Sequence, residues 1–114
     1  MLHITPEMMA AAYNYLLTTP PFTKWNLPPS EEITFKTSLL PNPVGSYTYD
    51  EGHILTVSFS KTGHTHTLLT VIAHEVVHLY RRLIGHPNWD NHGAEFKKLG
   101  KQICRVHGFD PKEF

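Results

Sequence analysis

Apolar and polar residues change their spacing several times along the chain, and each spacing predicts a different element. Residues 5–17, "TPEMMAAAYNYLL", open with threonine followed by proline, the order of a helix N-cap and first turn, so a helix is expected from Thr5 to about Leu17. The next stretch, 18–32, carries four prolines and predicts an irregular connection. Alternation in "ITFKTSL", 33–39, is that of a half-buried strand, which "PNPVG" breaks. "SYTYD" and "HILTVSFS" then read as two strands turning at Glu51 and Gly52, a hairpin. A long helix follows from about Thr65 to Ile84, stopped by Gly85, with Arg81 and Arg82 complementing the dipole of its last turn and Pro87 sealing the end. A last helix, about Gly93 to Val106, has Phe96, Leu99, Ile103 and Val106 as its apolar stripe. The expected architecture is α+β, a small antiparallel sheet packed against an N-terminal, a long central and a C-terminal helix. With 114 residues and no linker or repeat, the chain reads as one domain over 1–114.

Composition narrows the function. The single cysteine, Cys104, excludes an internal disulfide and any cysteine-rich zinc finger, and it fits a reducing compartment. The N-terminal stretch lacks the basic and long apolar regions of a signal peptide, and no segment approaches the roughly 20 apolar residues that span a bilayer. The expectation is therefore a cytoplasmic protein with no membrane partner. Formal net charge is zero, which weighs against a general nucleic-acid-binding module, although the charge is uneven: residues 61–114 carry eight Lys/Arg against five Asp/Glu, residues 1–60 two against five. Histidine, with nine copies, is the outlier.

Two of those histidines stand in "AHEVVHLYRR", 73–82, inside an apolar run. Residues i and i+4 of a helix share a face with Cβ atoms about 5–6 Å apart, so His74 and His78 can reach one zinc ion together. Glu75 projects beside them, placed to take a proton from an attacking water. This is the H-E-x-x-H arrangement of zinc hydrolases. The bland reading is a core helix whose polar groups bond to nearby backbone. It requires partners for three groups, each costing on the order of 1–3 kcal/mol if left unpaired.

A catalytic zinc also needs a third protein ligand and an open position. The metzincin continuation is excluded, because Arg81 and Ile84 stand where glycine and histidine would be. His66 and His86 lie too far along the helix axis, and Cys104 falls deep in the last helix, where it reads as packing. "DNHGAEF", 90–96, remains. At 100° per residue His92 falls in the middle of the stripe of Phe96, Leu99 and Ile103, and Glu95 on its shoulder. His92 is the expected third ligand and Glu95 the alternative. Asp90 is either a carboxylate orienting a ligand or a turn former, and Tyr47, Tyr49 and Tyr80 are open candidates for stabilising an oxyanion.

"HEVVH" followed by "HGAEF" resembles the SprT-like zinc metallopeptidases, the family of the DNA–protein crosslink protease Spartan. The hairpin "GSYTYDEGHILTVSF" and the N-terminal helix with its proline-containing connection resemble the family too, so that roughly residues 5–106 fit. The resemblance implies a zincin-like fold, one Zn2+ per chain on His74, His78 and His92, Glu75 as catalytic base, and a protein or peptide substrate. The chain departs from many relatives in having no CxxC pairs for a zinc ribbon and no basic or proline-rich tail. Family likeness also makes DNA a natural partner. Lys97, Lys98, Lys101 and Arg105 share one side of the last helix with no acidic residue among them, which predicts weak, non-specific DNA binding and a role on DNA-associated proteins. Two alternatives remain beside the peptidase: an inactive zinc-binding structural or interaction module, and a nucleic-acid-binding module with an incidental motif.

Overall fold

Thr5 caps the first helix, its hydroxyl accepting the Met8 N–H at 3.2 Å, and α1 runs Pro6–Leu17. The computed structural model describes residues 4–58 and 65–114, without the side chains of 65 and 66. The elements after α1 are β1 (Ile33–Ser38), β2 (Gly45–Tyr49), β3 (His53–Ser58), α2 (Thr65–Leu83) and α3 (Ala94–His107). The proline-rich connection contains short 3-10 turns at Phe22–Lys24 and Ser30–Glu32. Phe59 and Ser60, expected at the end of the last strand, lie outside the described residues.

The architecture is α+β, but the sheet is mixed where an antiparallel one was expected. Strand order is β1-β3-β2, with β2 and β3 an antiparallel hairpin and β1 parallel to β3. The reason lies in the link between β1 and β2, which crosses the far end of β3 instead of turning back beside β1. Ser58, the last residue of β3, holds it there: its amide donates to the Val44 carbonyl at 2.8 Å and its hydroxyl to the Leu40 carbonyl at 2.6 Å. Alternating hydrophobicity sets which face of a strand is buried and carries no information on which neighbour it pairs with.

Helix α2 is the centre of the molecule, touching α1, α3, β2 and β3. Ile72, Ala73, Val76, Val77 and Leu79 are all fully buried, which is why its apolar residues run around the helix instead of forming one stripe. Burial of each larger side chain among them contributes about 1.5–3 kcal/mol. Its end is a Schellman motif: the Gly85 amide donates to Arg82 and the His86 amide to Arg81, with Gly85 at φ 80, a conformation that disfavours a side chain. On α3 the buried residues are Phe96, Gly100, Ile103 and Cys104. Val106, expected in the stripe, is 48% exposed, because the i, i+4, i+7, i+8 face that meets the core passes through Cys104 instead. Beyond α3 the chain folds back, and the Phe114 ring lies 5.8 Å from Phe96 and 5.3 Å from His74, centroid to centroid.

Candidate metal centre

One face of α2 and the loop that leads into α3 bring three imidazoles together. His74 and His78 project from α2, and His92 comes from the residue before Gly93, the N-cap of α3. Ligand atoms of all three lie within 4.8 Å of one another. His92 Nε2 stands 3.2 Å from His74 Nε2 and 3.1 Å from His78 Nε2. Three nitrogens about 2.05 Å from a tetrahedral centre would be about 3.3 Å apart, so the spacing suits a zinc-sized ion. The Phe96 ring, 4.7–4.8 Å from all three imidazoles, forms the apolar floor beneath them.

Hydrogen bonding at the opposite ring nitrogens fixes which atoms are free. His78 Nδ1 donates to the Trp89 carbonyl at 2.8 Å, and His74 Nδ1 donates to the backbone oxygen of Phe114. These backbone oxygens only accept, so both rings keep the proton on Nδ1 and turn an Nε2 lone pair toward His92. His92 Nε2 can donate to one of them at most. Lone pairs facing each other in this way match a donor set for a cation better than a self-sufficient hydrogen-bond network. Burial pushes the His74 pKa down to about 4, against a rise from the Phe114 oxygen, and His78 and His92 lower it further. Burial likewise lowers His78, against the Trp89 carbonyl. Neutral rings, the form that binds metal, are therefore favoured.

Glu75 is 6% exposed, with Oε2 3.9 Å from His74 Nε2. Burial raises its pKa to about 7. Gly45 at the start of β2 packs directly on it: a Cβ there would meet Val71 Cγ1 at 2.5 Å and Glu75 Oε2 at 3.2 Å. The carboxylate lines a cleft of about 580 Å³ together with Val44, Gly45, Val71, His74 and Phe114. On the other side of Phe114 a second cleft, about 390 Å³, reaches His74 and His92 and is bordered by Lys97 and Lys101.

The other candidates fall elsewhere. Glu95, the alternative ligand, lies 3.5 Å from Arg81 Nε and 3.5 Å from His86 Nε2, outside the histidine cluster. The Trp89 carbonyl, not Asp90, is the hydrogen-bond acceptor behind His78, and Asp90 acts on that ring only through its charge. None of the three tyrosines lines either cleft. Tyr47 pairs its hydroxyl with His53 Nδ1 at 2.8 Å, Tyr49 lies beneath the Arg82 guanidinium, and Tyr80 stacks on Trp25. His86 sits in the Glu95 cluster, and the side chain of His66 lies outside the described residues. Sequence reasoning missed Phe114, Gly45 and Arg81. Arg81, assigned from sequence only to the helix dipole, is the largest fully buried side chain among the described residues. Only its place between two apolar turns of α2 hinted at that.

A model of the SprT-like family matches residues 13–113, nearly the whole chain. A comparison with curated proteins returned no match.

Proposed function

The chain belongs to the SprT-like family, and from that premise we propose that it is a zinc-dependent peptidase. The observation that carries this reading is the meeting of three imidazole nitrogens beside a buried carboxyl whose pKa is raised by burial. His74, His78 and His92 would hold the ion, one per chain, and when bound it supplies Lewis acidity and lowers the pKa of water toward neutrality. Glu75 is the general base. A carboxyl raised to about 7 is matched to accepting a proton from water near neutral pH and returning it to a leaving amine. Phe96 keeps water from the back of the imidazoles, while the backbone oxygens of Phe114 and Trp89 hold two of them in the productive tautomer. A protein or peptide substrate fits the larger cleft. There β2, an edge strand of the sheet, begins at Gly45 and offers main-chain groups to an extended chain. An intact Glu75 argues against the purely structural alternative, since holding a metal requires no base.

The same reading extends to DNA-associated substrates. Lys97, Lys98, Lys101 and Arg105 are all exposed on α3, and the first and third border the second cleft. The test is metal analysis of freshly purified protein, followed by cleavage of a denatured protein with and without chelator. One zinc per chain and chelator-sensitive cleavage are expected, with Glu75→Gln keeping the zinc and losing about 10²–10⁴-fold in rate. Protein that contains no transition metal and takes none up on titration would overturn the reading.

A further inference from the structure

We infer that Arg81 is a positioning residue for His92, holding the loop that carries the third ligand against the helix that carries the other two. This rests on the metal-site reading above. Arg81 is 1% exposed, an unusual burial for a cation, and its contacts converge on the residues flanking His92. Nη1 donates to the Asn91 carbonyl at 2.8 Å and approaches Asn91 Oδ1 at 3.3 Å, and Nη2 reaches the same Oδ1 at 3.3 Å. Asn91 Oδ1 also accepts the Gly93 amide at 3.2 Å, so a single amide oxygen ties the guanidinium to both neighbours of His92 in sequence. On the far side, Arg81 Nε stands 3.5 Å from Glu95 Oε1 in the first turn of α3, at ion-pair distance without a hydrogen bond. Nη2 also meets His86 Nδ1 at 3.4 Å.

His92 itself is exposed, and no hydrogen bond is made by its Nδ1 among the described residues. His74 and His78 each have a backbone oxygen behind the ring to orient them, whereas His92 has only its backbone. The Arg81 fork grips that backbone at 91 and, through Oδ1, at 93. A planar guanidinium suits this because its donors keep a fixed geometry, which the single rotating ammonium of lysine cannot reproduce.

The experiment measures zinc affinity by competition with a chromophoric chelator in the parent, Arg81→Met, Asn91→Ala and Asn91→Asp, each also combined with His92→Ala. The expected result is about a 10–100-fold loss of affinity in Arg81→Met, a smaller loss in Asn91→Ala, and near-parent affinity in Asn91→Asp, which keeps Oδ1. His92→Ala should then cost far less in the Arg81→Met background than in the parent. The visible spectrum of the cobalt-loaded variant should also weaken as four-coordinate geometry is lost. Should Arg81→Met fail to fold by circular dichroism, the exposed Asn91 variants decide the matter. Parent-like affinity in Asn91→Ala and Arg81→Met, or an equal His92→Ala penalty in both backgrounds, overturns the inference. A parent that binds no zinc overturns the metal site instead.

Discussion

Glu75→Gln should make the metal-free protein more stable, and by an amount that depends on pH. Burial lifts the Glu75 pKa from 4.5 to about 7, with desolvation the only cause, and the side chain is 6% exposed. Below pH 4.5 the group is protonated in folded and unfolded chains alike and has no effect. Between 4.5 and 7 the folded chain holds a proton that the unfolded chain has released, so stability falls as pH rises. Above 7 the full cost of ionising a buried carboxylate is present, roughly 3 kcal/mol at about 1.36 kcal/mol per pKa unit. Glutamine cannot ionise, and any loss from its amide is the same at every pH. In chelator, the melting temperature of Glu75→Gln relative to the parent should therefore climb across pH 5–8, by on the order of 10 °C for a domain of this size. Added zinc should shrink the difference, because a cation beside the carboxylate offsets its burial. A difference that stays flat from pH 5 to 8 in chelator would show that the carboxylate is solvated in the folded protein, and the argument for its raised pKa would fail.

Other outcomes follow from the same contacts. Because burial lowers His74 to about 4 and lowers His78 as well, zinc affinity should fall less steeply below pH 6.5 than three free imidazoles would make it; a decline starting at 6.5 and steep enough for three protons would contradict the burial argument. His92→Ala should cost more zinc affinity than Glu95→Ala by equilibrium titration, and the reverse order would make Glu95 the ligand. Gly45→Ala should lower stability by about 1–3 kcal/mol and impair hydrolysis with zinc retained, since its methyl group would collide with Val71 and crowd Glu75; parent-like melting and turnover would refute this. Fluorescence anisotropy should detect weak, sequence-independent binding of single-stranded DNA, with log K falling against log salt at a slope of about −2 to −3. Replacing Lys97, Lys98, Lys101 and Arg105 by Glu should abolish it, and unchanged binding by that variant would rule out the α3 ridge.

What could be read from the chain was whatever is encoded within a few residues. The Thr5 cap, the Gly85 stop and the β2–β3 turn are local, and each is found where its residues imply. The i, i+4 spacing of His74 and His78 and the helical phase of His92 are local as well, which is why the cluster was legible. Pairing of β1 with β3 was not, because it depends on where a six-residue link crosses the sheet. Nor was the Arg81 network: an arginine near a helix end is ordinarily solvated, and only the returning loop encloses this one. Phe114 belongs to no periodic pattern, so nothing in its neighbourhood announced that its backbone oxygen would face His74.

The three imidazoles span only eighteen positions of sequence, with the last two fourteen apart. So short a chelating unit does not vanish when the fold does. A denatured chain keeps two histidines four residues apart and a third that a modest loop-closure cost, growing only as the logarithm of length, can bring back. Stabilisation by a ligand depends on its preference for the folded over the unfolded chain, so residual affinity in the latter subtracts from it. Zinc should accordingly raise the melting temperature less than its affinity for the native protein dictates. An ion captured during refolding would also join α2 to the loop before α3 early, while the rest of the chain is still searching.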